Sequence, residues 1–196
     1  MSDPEAADTM NIGQITAKWA SRDPNREAIV DVPTGRRVTF GALDRRVRKL
    51  ANALAQQKVA KGSRIGVLSK NAIEYFEIYY ACARAGYIAQ PLNWRLSAPE
   101  LARILADGEP TVVVSADEFR NERNVMQREV DASLWLEYGD NSDGTYEDFL
   151  ATANDTEPFA SATTGDNDPA LILYTGGTTG ISKGALHTTR RSSWAC

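Results

Sequence analysis

Hydrophobic positions along the chain alternate between the spacing of helices and the spacing of strands. Between residues 43 and 54 they recur at i, i+4, i+7, i+8 and i+11, which is typical of one buried helix face. Short apolar runs that predict strands occur at 28–31, 64–69, 87–92, 111–115, 134–138 and 170–174. This alternation predicts an α/β fold, with a mostly parallel sheet covered by helices.

Polar residues and glycines mark where individual helices begin and end. Asn71 is expected to cap a helix that ends at Gly86. Ser97 and Glu100 have the spacing of a capping box. A second helix is therefore predicted to begin there and to stop at Gly108.

Three later segments complete the pattern. Residues 117–133 are charged and are expected to be helical. Residues 153–168 are rich in Thr, Asp, Asn, Ser and Pro, which indicates an exposed connection. Residues 170–174 are expected to form the last strand, and a glycine-rich loop follows them directly.

The charge and composition exclude several classes of protein. Lys and Arg number 22 against 26 Asp and Glu, and the formal net charge of −4 argues against a nucleic-acid partner. No apolar run reaches the roughly 18 residues of a membrane-spanning helix. The acidic start lacks the pattern of a secretory signal, so a cytoplasmic protein is expected.

Cysteines and clustered arginines have structural interpretations. The two cysteines do not indicate a disulfide framework, and Cys82 lies in an apolar helical stretch as an expected core residue. Arg45, Arg46 and Arg48 fall within a helical pattern and are expected to form a solvated face.

The loop after the predicted last strand has the chemistry of an anion-binding site. Its sequence at residues 174–184 is Tyr-Thr-Gly-Gly-Thr-Thr-Gly-Ile-Ser-Lys-Gly. Glycines let backbone N–H groups converge on phosphate oxygens, threonines add hydroxyl donors, and a lysine adds a positive charge. The predicted phosphate-binding residues are Thr175, Gly176, Gly177, Thr178, Thr179, Gly180 and Lys183.

Other interpretations of this region are less favoured. A Walker A loop needs a glycine before the lysine and Ser or Thr after it, whereas Ser182 precedes Lys183 and Gly184 follows it. A flexible Gly/Thr turn is the structural alternative. His187 is interpreted as a partly exposed residue at a helix start rather than as a catalytic base, and no catalytic or metal-binding residue is predicted.

The loop resembles the signature of the adenylate-forming superfamily, which reads Tyr-Thr-Ser-Gly-Thr-Thr-Gly-x-Pro-Lys-Gly. This sequence departs from it at Gly176, where Ser is usual, and at Ser182, where Pro is usual. Upstream segments similar to acyl-CoA synthetases follow in the same order, at residues 38–44, 50–54, 62–67 and 85–93. The Pro-Leu-Asn stretch within the last segment favours fatty- or aryl-acid CoA ligases over peptide-synthetase modules.

The resemblance implies ATP with Mg²⁺, a carboxylic acid and CoA as the small molecules of the complete enzyme. It also implies that the chain corresponds to the N-terminal part of the family's large domain. The later segments that bind adenine and ribose, and the one that carries the catalytic lysine, do not occur in the sequence. Residues 1–10 are expected to be a flexible N-terminus and residues 11–196 a partial AMP-binding domain. The chain is expected to be marginally stable or aggregation-prone, and inactive alone; the alternatives are a non-catalytic nucleotide- or partner-binding fragment and a non-functional remnant.

Overall fold

Helices and strands alternate in the part of the chain that a computed structural model describes, residues 12–141, 143–175 and 182–189. The flexible terminus expected at residues 1–10 lies outside that part. The α-helices are α1 (Ile15–Arg22), α2 (Phe40–Gln56), α3 (Ile73–Ala85), α4 (Ala98–Gly108), α5 (Arg120–Glu129) and α6 (Thr145–Ala151). The strands are β1 (Glu27–Val30), β2 (Arg37–Thr39), β3 (Arg64–Leu68), β4 (Ile88–Pro91), β5 (Val112–Ala116), β6 (Leu134–Tyr138), β7 (Pro169–Thr175) and β8 (Lys183–Thr188).

The larger sheet has six strands within the described residues, in the order β6-β5-β3-β4-β7-β8. All neighbours pair in parallel except β7 and β8, which are antiparallel. β1 and β2 form a separate antiparallel pair. The predicted α/β fold with a mostly parallel sheet is confirmed.

The crossover connections run in two directions from β3. The chain passes through α3 to β4 on one side of β3, and then through α4 to β5 on the other side. Because such crossovers are right-handed, α3 and α4 cover opposite faces of the sheet. On α2 the predicted buried face is confirmed, since Leu43, Val47, Leu50 and Leu54 are at most 2% exposed.

Two predicted helix boundaries are confirmed. The backbone N–H of Ser97 donates to Glu100 Oε2 at 2.9 Å within a capping box at the start of α4. Gly86 ends α3 in the left-handed conformation, at φ 74°, which a glycine adopts without strain.

The start of α3 was predicted wrongly, whereas the end of α4 was predicted correctly. Asn71 lies one position too early, so Ala72 occupies the N-cap position of α3 and no side chain caps this helix. α4 ends at Gly108, as predicted, and Glu109 follows it in the left-handed conformation. A Cβ on Gly108 would lie 2.1 Å from Gln90 Nε2, so this glycine allows α4 to approach β4 rather than forming the turn.

The sequence prediction also missed two elements. Residues 170–174 are not the last strand, because β8 follows and pairs with β7. The short helix α6 was not predicted. The expected helix at 117–133 is shorter, consisting of a 3-10 turn and α5. Another 3-10 turn, Phe159–Thr163, interrupts the connection at 153–168.

A buried arginine joins three helices to that connection. Arg84 of α3 is 2% exposed, and its Nη1 lies 2.6 Å from Asp44 Oδ1 on α2. The hydroxyl of Thr16 on α1 donates to the same carboxylate oxygen at 3.0 Å. Arg84 also donates to Glu157. These ion pairs offset the free-energy cost of removing the Arg84 guanidinium from water.

The arginine cluster on α2 is only partly solvated. Arg45 is exposed as predicted, but Arg46 Nε lies 2.5 Å from Glu77 Oε1 and its Nη2 lies 2.6 Å from Glu147 Oε1. Glu77 is fully buried, and burial raises the pKa of its carboxyl group. The predicted solvated face was therefore wrong for Arg46, because sequence spacing does not reveal a buried acid on the next helix.

Cys82 confirms its predicted place in the core. It is fully buried as a free cysteine, and burial raises the pKa of its thiol. None of the helices in the described segments is both long and apolar enough to cross a membrane.

Another buried carboxylate lies on β6, beside α5. Glu137 on β6 is fully buried; it pairs with Arg120 and lies 2.9 Å from Arg123 Nη1. The hydrogen bond from Arg120 is the main reason that the pKa of Glu137 is lowered.

We predict that Asp44→Asn lowers the free energy of unfolding by about 3 kcal/mol, because it leaves Arg84 buried with one charged partner fewer. The matched change in an exposed ion pair, Glu27→Gln, is expected to cost less than about 1 kcal/mol. Urea denaturation at neutral pH measures both. Equal losses for the two variants would contradict the role assigned to Arg84.

Stability is also predicted to depend on pH through Glu137. Since its folded-state pKa lies below the unfolded value, its ion pairs stabilise the fold at neutral pH, and this contribution is lost as the pH falls through the folded-state pKa. Glu137→Gln should therefore destabilise the protein at pH 7 and have little effect in acid. Urea unfolding at several pH values tests this, with Glu129→Gln on the exposed side of α5 as the control. A loss that stays constant with pH would rule the account out.

Candidate phosphate-binding site

The hairpin of β7 and β8 brings both ends of the predicted phosphate-binding loop together. Thr175, the last residue of β7, pairs directly with Lys183, the first residue of β8. Both are exposed, and Lys183 makes no ion pair with any residue that the structure describes. A hydroxyl and an ammonium group thus lie side by side at one end of the sheet. The predicted residues that lie outside the described part are Gly176, Gly177, Thr178, Thr179 and Gly180.

Gly184 contributes to the hairpin by its lack of a side chain. It pairs with Tyr174, and a Cβ at this position would lie 2.8 Å from Ile172 Cδ1. The glycine after the lysine therefore lets the two strands pack at the point where the loop begins. This role differs from phosphate binding and was not predicted.

A tyrosine anchors the loop end of the hairpin to α4. The hydroxyl of Tyr174 donates to Asp107 Oδ2 at 2.6 Å. Partial burial and this neighbouring carboxylate raise the pKa of Tyr174 to about 12, so the phenol remains protonated at neutral pH. Sequence reasoning missed this contact, because 67 positions separate the two residues.

The opposite end of the hairpin is held by residues of the connection before β7. Lys61 Nζ lies 2.8 Å from Asp168 Oδ2 and donates to the carbonyl of Thr163 at 2.6 Å. The buried Thr189, just after β8, donates its hydroxyl to the carbonyl of Gly165 at 2.8 Å. The two ends of the hairpin are thus fixed to different parts of the fold.

His187 does not lie at a helix start. It is a half-buried residue of β8, paired with Leu171 of β7. The interpretation from sequence was wrong because it placed a helix after the loop, where the chain instead returns as a strand. His187 lies several residues along β8 from Lys183, and therefore away from the Thr175–Lys183 pair.

The described residues offer no ready-made metal site. Among them, no group of three or more His, Cys, Asp or Glu side chains is arranged to hold a metal ion. Thr175 and Lys183 fit the oxygens of a phosphate group, to which both can donate. They do not fit a cation.

A cavity elsewhere on the sheet is an alternative ligand site to the end of the hairpin. Its volume is about 350 Å³, and it lies at the carboxyl ends of β3, β5 and β6, where the crossover direction reverses and ligands often bind. Its cations are already paired, Lys70 with Glu118 at 2.5 Å and Arg36 with Glu74 at 2.7 Å. The carboxylates that line it are Asp31, Glu74, Asp117, Glu118 and Asp140. Their negative charge makes this cavity unfavourable for a phosphate.

Comparison with known proteins agrees with the fold. The family model described as AMP-binding enzyme matches residues 16–196. The long-chain-fatty-acid–CoA ligase FadD13 of Mycobacterium tuberculosis is 31% identical over 190 residues, which cover 94% of this chain and 37% of that relative. The chain therefore spans little more than a third of the length of this relative.

Solved structures show the same architecture. The inhibitor-bound N-terminal domain of FACL13 from Mycobacterium tuberculosis has a TM-score of 0.82 and 30% identity, covering 91% of this chain and 44% of that chain. ATP-bound MatB from Rhodopseudomonas palustris has a TM-score of 0.75 and 31% identity, covering 92% of this chain and 35% of that chain. The chain therefore belongs to the AMP-binding enzyme family, and the relatives that it matches include acyl-CoA ligases.

Proposed function

We propose that the end of the β7–β8 hairpin binds the β- and γ-phosphates of Mg-ATP. The observation that carries this proposal is the direct pairing of Thr175 with Lys183, which places a hydroxyl and a positive charge on either side of a glycine-rich segment. The cavity at the strand ends is too acidic to compete for a phosphate. The solved relative MatB, which shares this part of the fold, is ATP-bound.

In this proposal residues 11–196 are a partial AMP-binding domain, the N-terminal part of an AMP-forming acid–CoA ligase. The complete reaction joins a carboxylate to the α-phosphate of ATP with release of pyrophosphate, and CoA then displaces AMP. Thr175 and Lys183 would hold the pyrophosphate end and offset the charge that develops on it. The acid is left open, because the chain spans 37% of the matched ligase.

The chain alone is proposed to bind nucleotide without turning it over. The Tyr-Gly-x-Thr-Glu segment of the family does not occur in the sequence, and the described residues form no metal-binding cluster. Catalysis at a phosphate needs several groups at once to position the reactants and to stabilise charge. Binding only one end of ATP is therefore insufficient for turnover.

A second candidate function is a non-catalytic fragment that binds a partner through the hairpin. Leu173 and Leu186 are 37% and 54% exposed on β7 and β8, and β8 is an edge strand within the described sheet. An exposed edge with apolar side chains favours association. Sedimentation of the chain at several concentrations distinguishes a monomer from a self-associating protein.

We predict that Lys183→Ala weakens the binding of Mg-ATP at least about tenfold, because it removes a charge-assisted hydrogen bond to phosphate. The matched change Lys49→Ala on α2 should leave the affinity unchanged. Isothermal titration calorimetry measures both. Equal affinities for Lys183→Ala and the unaltered chain would remove the loop from the account.

We also predict no detectable ATP–pyrophosphate exchange by this chain with a panel of carboxylic acids. The reason is the absence of the later family segments from its sequence. Incorporation of labelled pyrophosphate into ATP is the measurement. A clear rate that disappears in Lys183→Ala would show that the chain is an enzyme by itself.

A further inference from the structure

A small cavity opens between α4 and the loop end of the hairpin. Arg103 and Asp107 of α4 line it together with Tyr174 and Ser182, the residues on either side of the segment 175–181. Its volume is about 230 Å³, below the roughly 300–1,000 Å³ of sites that enclose a whole small molecule. The cavity therefore suits one group of a larger ligand.

The two carboxylates that line the cavity are already engaged. Glu100 Oε2 accepts hydrogen bonds from the backbone N–H and the hydroxyl of Ser97, at 2.9 and 2.6 Å, and these bonds lower the pKa of the Glu100 carboxyl. Asp107 accepts the hydroxyl of Tyr174 at 2.6 Å.

Arg103 supplies the positive charge in this cavity, and no described side chain engages it as Ser97 and Tyr174 engage the two carboxylates. It is exposed and makes no hydrogen bond or close ion pair with any described residue, although it lies in the electrostatic field of Glu100. A guanidinium group has five donors in a geometry that matches the oxygens of a phosphate. The guanidinium group of Arg103 is therefore available to bind a phosphate group in this cavity.

The cavity and the ammonium group of Lys183 lie on opposite faces of the hairpin. Side chains alternate between the faces of a sheet, and Tyr174 pairs with Gly184 whereas Thr175 pairs with Lys183. Tyr174 points towards α4, as its hydrogen bond to Asp107 shows. A polyphosphate that crosses the end of the hairpin would meet Lys183 from one side and Arg103 from the other.

We propose that Arg103 is a further phosphate-binding residue, which holds the terminal phosphate of the bound polyphosphate and of the pyrophosphate that the reaction releases. The inference rests on the proposed binding of ATP at the hairpin. The Tyr174–Asp107 hydrogen bond has a positioning role, because it fixes the hairpin against the helix that carries Arg103.

The test is calorimetric titration of the chain with inorganic pyrophosphate in the absence of divalent metal. Arg103→Gln is expected to weaken binding about tenfold, as the loss of one charge-assisted hydrogen bond predicts. Arg128→Gln on α5 changes the net charge equally at an exposed site away from the cavity and should leave the affinity unchanged. AMP, which lacks the two outer phosphates, should bind Arg103→Gln and the unaltered chain equally.

A second variant gives an effect of the opposite sign. Asp107→Asn keeps an acceptor for Tyr174 and removes a negative charge, so it should tighten pyrophosphate binding severalfold.

Full affinity in Arg103→Gln, with weakened binding in Lys183→Ala, would overturn the role of Arg103 and leave the ATP site intact. Equal weakening by Arg103→Gln and Arg128→Gln would also overturn it, since only net charge would matter. If the unaltered chain binds neither pyrophosphate nor ATP, the proposed ATP site fails and this inference fails with it.

Discussion

The pairing of β7 with β4 determines where the glycine-rich loop lies. Ala89 of β4 and Leu171 of β7 are cross-strand partners, although a long stretch of chain that includes α4, β5, β6 and α6 separates them. Once β7 joins the parallel sheet, its last residue, Thr175, lies at the same edge as the carboxyl ends of the other parallel strands. The antiparallel return of β8 then brings Lys183 beside Thr175. The candidate site is thus built on non-local strand pairing.

Polar contacts around the hairpin stabilise that arrangement at both ends. Lys61 and Thr189 hold the end where β7 begins, and Tyr174 holds the loop end against α4. Farther from the hairpin, Arg84 ties α3 to α2 and to the connection that leads to β7. A buried charge with several partners disfavours alternative packings, because each of them would leave it unpaired. The loop is therefore placed by a framework that extends well beyond its own residues.

The features of the fold and of the candidate site that depend on residues close together in the sequence could be predicted from it. The buried face of α2, the capping box at Ser97 and the helix end at Gly86 follow from nearby residues, and they were predicted. The candidate phosphate-binding residues could be proposed for the same reason, since their glycines and lysine lie in one short segment. β8 was missed because its pairing partner decides its structure. The contacts of Tyr174 with Asp107 and of Arg46 with Glu77 join distant segments, so neither spacing nor periodicity reveals them.

The location of bound nucleotide tests the central claim most directly. Backbone amide shifts of the isotopically labelled chain, followed by NMR as Mg-ATP is added, report which residues meet the ligand. The account predicts the largest changes at Thr175, Lys183 and Gly184, with small changes at the carboxyl ends of β3 and β5. Changes concentrated at residues 69–72 and 116–118, which line the larger acidic cavity, would contradict it.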